Sequence, residues 1–168
     1  MRLPRGAMAA GDSAVIAEPR SSQLLLCRVQ TYLCALPLEN VIETMRPLPT
    51  ERLAATPESV LGLAVIRGAP TPVVDLGRLL SGQDPRPGRW VTIRTGARQV
   101  ALAVDEALGV RGIERRSLQE LPPLLRDAGG DIIAAISSLD AELLFVLQTV
   151  RIVPDDVFDA LDARKPVS

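Results

Sequence analysis

The chain has 168 residues, 47% of them hydrophobic and 23% charged, with a formal net charge of -1. That length and apolar content suit one sizeable core, or two small cores sharing a boundary, and exclude a disordered polypeptide. With charge this balanced, and Tyr32, Trp90, Phe145 and Phe158 as its aromatic residues, the chain offers neither a basic surface for phosphates nor a platform for stacked bases. Nucleic acid is therefore not an expected partner.

Residues 1–22 carry Arg2 and Arg5, but Asp12 and Glu18 break the apolar residues before a signal-peptide core forms, so this stretch is expected to be a flexible tail. Nowhere does the chain run to the roughly 18 uninterrupted apolar residues of a membrane span. A soluble, cytoplasmic protein without direct membrane insertion is the expectation.

The pattern from there is mostly strands. Gln23–Val29 and Tyr32–Leu36 flank a two-residue turn at Gln30-Thr31 and form a hairpin. Pro57–Leu61 reads as one helical turn. Gly62–Ile66 and Thr71–Val74 flank the turn Arg67-Gly68-Ala69-Pro70, and Asp75 is placed to cap a short helix ending at Leu80. Gly82–Gly88 is a turn-rich connection. Trp90–Arg94 and Gln99–Val104 make a further hairpin, and after a loop at Asp127–Asp131 so do Ile132–Ile136 and Glu142–Leu147, joined through Ser137–Ala141. A last helix is expected over Pro154–Ala163, docking through Val157, Phe158 and Leu161, with Asp155 and Asp156 at the positive end of its dipole. Hairpins at this spacing suit antiparallel sheets closed into barrels better than alternating β-α units.

Absent residue types narrow the chemistry. The sequence has no histidine, which removes the commonest general base and the usual zinc ligand, and Lys165 is its one lysine. No G-x-G opens a dinucleotide-binding turn, so neither a cofactor nor a metal is expected. Cys27 and Cys34 face each other across the first hairpin if its register holds. They read as buried thiols among Leu25, Val29, Tyr32 and Leu36, with a cross-strand disulfide as the alternative. A thiol-dependent enzyme would need an activator, and Arg28 is the nearby cation.

Gly68 after Arg67 suits a turn that needs positive φ, while Pro70 and Pro72 cannot donate to a central ladder and so place their hairpin at an edge or junction. Arg67 at its tip offers a fork of N–H donors to a carboxylate or carbonyl of another protein, or else to Glu43 or Asp75 within the chain, or simply to solvent.

The stretch from Val60 through Ile66, Arg67, Gly68, Ala69, Pro70, Thr71 and Pro72 to Val73, Val74, Asp75 and Leu76 resembles the CheW-like family, the coupling proteins of bacterial chemotaxis and the matching regulatory domain of CheA-type kinases. Ala35-Leu36-Pro37-Leu38, Val41-Ile42-Glu43, Val100–Asp105 and Val110 fall in the same order, and the likeness runs from about Ser22 to Pro154. The chain departs from the pattern at Val65-Ile66, Ala101, Ala134-Ala135 and Gln148, as a divergent member does. The resemblance implies a mainly β fold of two side-by-side five-stranded β-barrel subdomains with short helices, spanning 23–153 and followed by a C-terminal helix and tail over 154–168. It implies an adaptor without catalytic residues, located at receptor arrays through its partners, a chemoreceptor's cytoplasmic tip and the regulatory domain of a CheA-type histidine kinase. Carried over by position, Val41, Glu43, Gly62 and Arg67 would face the receptor, with Gly68, Pro70, Pro72 and Asp75 shaping the turn. From the residues alone Val41 reads equally as core and Glu43 as a surface charge. A small-molecule-binding β-barrel or a thiol enzyme is the alternative function.

Overall fold

The computed structural model describes residues 21–81, 88–123, 132–153, 155 and 157–159. Most of the expected tail, most of Gly82–Gly88, the loop Asp127–Asp131 and most of Pro154–Ala163 lie outside those residues. The strands are β1 (Ser21–Val29), β2 (Tyr32–Pro37), β3 (Val41–Met45), β4 (Val60–Ile66), β5 (Ala69–Asp75), β6 (Arg89–Thr95), β7 (Arg98–Val104), β8 (Glu106–Glu114), β9 (Ile133–Leu139) and β10 (Glu142–Leu147). One short helix, α1 (Leu76–Ser81), follows β5. No helix among these residues is long and apolar enough to cross a membrane.

The strands form two five-stranded sheets, ordered β8-β1-β2-β10-β9 and β3-β6-β7-β5-β4. Exchanging β8 for β3, β9 for β4, β10 for β5, β1 for β6 and β2 for β7 turns the first order into the second. The match extends to single residues. Each sheet has one parallel pair, Val146 beside Ala35 and Val73 beside Ala101. Register shifts fall at matched places too, between Val41 and Glu43 on β3 and between Ala107 and Gly109 on β8. The second sheet is contiguous in sequence, whereas the first takes β1 and β2 from one end of the chain and β8 to β10 from the other.

Neither sheet closes into a barrel, contrary to the expectation. β4 pairs across the seam through one isolated bridge, Glu51↔Leu63, contributed by the segment after β3 and not by β3 itself. Gln119↔Ile136 does the same beside β9. Each sheet nevertheless curls around a small core of its own. Leu24, Leu26, Leu33, Ala35, Ile113, Leu144 and Val146 fill the first. Trp90 with Ala64, Ile66, Val73, Ala101 and Ala103 fills the second, and Ala101 supplies the small side chain that leaves room beside the indole.

The largest core lies between the sheets and joins Leu25, Cys27, Val29, Cys34 and Leu36 to Val74, Val91, Ile93, Val100, Leu102 and Val104. Burial on both faces explains the continuous run Leu24-Leu25-Leu26, since alternate residues serve different cores. The helical residues 157–159 place Val157 and Phe158 on the shared core, and the Arg98 guanidinium lies 4.6 Å from the Phe158 ring centre.

Other differences from the sequence reading are local. Pro57–Leu61 makes a single hydrogen-bonded turn, Val60 N donating to Pro57 O at 2.9 Å, and does not continue as helix: Val60 pairs with Val74, and Asp75 N donates to Ser59 O at 2.7 Å, so β4 begins at Val60. β1 begins at Ser21, and β9 continues to Leu139, so its turn shrinks to Asp140-Ala141. The expected helix cap is present, with Arg78 N donating to Asp75 Oδ1 at 2.8 Å.

That carboxyl is 2% exposed, and its Oδ2 has no hydrogen-bond partner among the described residues. Burial therefore raises its pKa, against the opposing pull of the Arg78 and Gly77 amides. A raised folded-state value means that the group favours folding when protonated and disfavours it as pH rises through that value. Asp75→Asn keeps the cap and should gain stability relative to the parent as pH climbs from about 4 toward neutral. Asp75→Ala loses the cap, about 1 kcal/mol. Urea melts across that pH range test both, and parallel curves for the parent and Asp75→Asn would contradict the expectation.

Candidate interaction site

The hairpin β4–β5 lies at one edge of the second sheet, with β4 outermost. Its turn residues Arg67 and Gly68 have φ of 50° and 81°, the left-handed pair that a two-residue hairpin turn requires. Ile66 and Ala69 close the turn, so Pro70 and Pro72 direct their nitrogens away from β4 and toward β7. Without N–H groups they cannot extend that ladder, and the β5–β7 pairing begins only at Val73.

Arg67 reaches from the turn across the open seam to Glu43 on β3. Its Nε donates to Glu43 Oε1 at 2.8 Å and its Nη2 to Oε2 at 2.7 Å, a two-pronged ion pair. Of the internal partners the sequence allowed Arg67, the structure selects Glu43. That hydrogen bonding holds the Glu43 carboxyl below its ordinary range, so the pair is intact at neutral pH and opens only in acid. The Arg67 side chain is 76% exposed and that of Glu43 25%, so the guanidinium is presented outward from a partly sheltered anchor. Beside it Val65, 67% exposed, points its side chain out of the edge strand.

The remaining expected residues play different parts. Val41 is half-buried, pairs with Ile93 and packs on the shared core. Gly62 is buried near the start of β4 with φ of 142°, and a Cβ there would overlap the Glu51 carbonyl, whose carbon would lie at 2.8 Å. It shapes the seam and has no side chain to present. Gly68, Pro70 and Pro72 set the turn as described, whereas Asp75 is a buried helix cap. Val65 and Ile42, exposed apolar residues within two positions of Arg67 and Glu43 in the chain, were not singled out by sequence. For Val65 the signal was the alternation of β4, in which Ala64 and Ile66 face inward.

The thiols were the other candidate chemistry. Cys27 and Cys34 stand directly opposite each other as free, fully buried thiols. Burial pushes both pKa values up to about 12. The thiolate a nucleophile needs is therefore scarce at neutral pH. Iodoacetamide should leave both unlabelled in native protein and modify both in urea, as mass spectrometry of the intact chain would show; rapid native labelling would contradict this. Among the described residues no group of three or more His, Cys, Asp or Glu is placed to hold a metal. What this edge can offer is recognition, through a guanidinium, a carboxylate, apolar side chains and a strand edge.

Two curled five-stranded sheets with matched topology, packed on a common core and exposing an ion-paired hairpin tip, define the class of fold. The model of the CheW-like domain matches residues 23–157, and the chain belongs to that family. Protein FrzA of Myxococcus xanthus is 36% identical over 129 residues, covering 74% of this chain and 78% of FrzA. The crystal structure of the scaffolding protein TtCheW from Thermoanaerobacter tengcongensis superposes with a TM-score of 0.68 at 18% identity, over 76% of this chain and 89% of that one, and so shares the fold.

Proposed function

We propose that this protein is an adaptor of bacterial chemosensory signalling, binding the cytoplasmic tip of a chemoreceptor and the regulatory domain of a CheA-type histidine kinase in one cytoplasmic complex. Membership of the CheW-like family supports the class, and the observation that carries the site is the Arg67–Glu43 pair at the tip of an edge hairpin. The guanidinium engages Glu43 through Nε and Nη2, so one side of the fork is directed at Glu43 while most of the side chain remains exposed. An incoming carboxylate or helix-end carbonyl can be read there, with Val65 and Ile42 providing apolar contact. Signal passes in this reading as a displacement carried through contacts, with no covalent step. Pull-down of the purified protein with a receptor tip fragment and with the kinase regulatory domain tests it. Retention of both is expected, and failure to retain either overturns the proposal.

A further inference from the structure

The hydrophobic effect that joins the two sheets is non-directional, and the packing of side chains restricts their angle only through shape. The joint between the two sheets also contains a directional element, built around the turn between β1 and β2. Gln30 there has φ of 56°. The matched turn of the second sheet has Gly96, with φ of 65°, the residue type for which this conformation carries no steric penalty. A glutamine held in the left-handed region is a local cost of about 1 kcal/mol, and such a cost points to a role.

Its contacts show the role. Gln30 N donates to Asp105 Oδ2 at 3.1 Å, and Asp105 N donates back to Arg28 O at 3.0 Å. Asp105 is the link between β7 of the second sheet and β8 of the first. The side chain reaches further, to the end of α1, where the Ser81 hydroxyl lies 2.6 Å from Gln30 Oε1 and 2.8 Å from Gly77 O and shares its proton between these two acceptors. The rest of the amide lies over Gly77, where any Cβ would come within 2.9 Å of Gln30 Nε2. The first sheet's hairpin turn is thus plugged into a socket made of α1 and Asp105, with a glycine at its floor.

We propose that Gln30 is a positioning residue that fixes the angle between the two sheets, so that surfaces on the two halves keep a constant relation. The shared core supplies the energy of association, and the half-buried Gln30–Asp105–Ser81 network adds directional contacts that select the orientation. Its consequence for signalling rests on the adaptor reading: a displacement of one half is delivered to the other as a rigid body.

Spin labels on Ser138→Cys in β9 and Arg94→Cys in β6, both exposed positions on different sheets, report that angle as a distance distribution. Cys27 and Cys34 are buried and stay unlabelled. A single narrow distribution is expected for the parent. Gln30→Gly should broaden it while Tm holds or rises, because glycine removes the backbone strain as it removes the plug. Broadening without loss of Tm is what a merely stabilising role would not produce. A distribution as narrow as the parent's overturns the proposal. If Gln30→Gly fails to fold, Ser81→Ala decides: broadening at little changed Tm supports the joint, and an unchanged distribution overturns it. Since no partner is present, failure of this test and failure of receptor or kinase binding are separate results.

Discussion

Gly62→Ala is expected to destabilise the protein by about 3 kcal/mol or more, a large effect for the addition of one methyl group. Two causes act together. The φ of 142° lies where side-chain-bearing residues are strained, and the new Cβ would overlap the Glu51 carbonyl. That carbonyl cannot retreat freely, because Glu51 O accepts from Leu63 N and Glu51 N donates to Leu63 O, both at 2.8 Å, as the bridge across the seam. The substitution therefore forces a choice between backbone strain and loss of the bridge. Urea denaturation at constant m would measure it, and a change below about 0.5 kcal/mol would show that the seam yields easily. The matched position of the first sheet is Ala135, whose φ is not left-handed. Ala135→Gly should cost no more than about 1 kcal/mol, the ordinary entropic effect of glycine in a strand. Any binding defect of Gly62→Ala would then follow from the distorted seam.

Arg67→Glu is expected to behave in the opposite way: Tm nearly unchanged, and affinity for at least one of the two proposed partners reduced about tenfold or more. The ion pair is solvent-screened, so its loss costs the fold little. A partner that places a carboxylate on the guanidinium would instead meet a like charge, and one that places a carbonyl there would lose its donor. The exchange Glu43→Arg with Arg67→Glu separates the remaining readings. If Arg67 only closes the seam, the exchanged pair restores binding. If a partner reads Arg67, binding stays lost although the seam is closed again. Isothermal titration with the receptor tip fragment and with the kinase regulatory domain provides the numbers, and full affinity in Arg67→Glu would remove the turn from the site.

How much of this was legible in the sequence depends on the distance over which each feature is determined. The hairpins around Gln30-Thr31, Arg67-Gly68-Ala69-Pro70 and the Gly96 turn between Trp90–Arg94 and Gln99–Val104 were readable because their signals are turn residues flanked by apolar runs, although the last two turns are two residues long in the structure. So was the cap at Asp75, which depends on a residue three positions away. β8 was not readable as a strand: its residues are exposed apart from Ile113 and the half-buried Ala107, and Gly109 and Gly112 interrupt the pattern, so it carries little alternation. Pro57–Leu61 was read only in part: a turn forms at Pro57–Val60, with Val60 N donating to Pro57 O, but Val60 and Leu61 are taken into β4 by pairing with β5.

At the site, Arg67 at a turn tip was a local inference, and Glu43 remained one of several possible partners. The long reach across the seam that joins them depends on how the second sheet curls. The Glu51 carbonyl above Gly62, a contact between separate segments of chain, could not be read from the sequence. Gln30 looked like an ordinary turn residue, and its socket is formed by α1 and Asp105, far away in sequence.

The opening composition and the turn punctuation by themselves determined a mainly β chain, with neither histidine nor a dinucleotide-binding turn and with an edge hairpin bearing Arg67, because those properties rest on residue identity and short-range sterics. Only the tertiary structure decided that the sheets stay open, that Glu43 anchors Arg67, that the two halves repeat each other and that Gln30 locks them. Each of those depends on backbone groups and side chains brought together from distant parts of the chain, and no local pattern records which of them will meet.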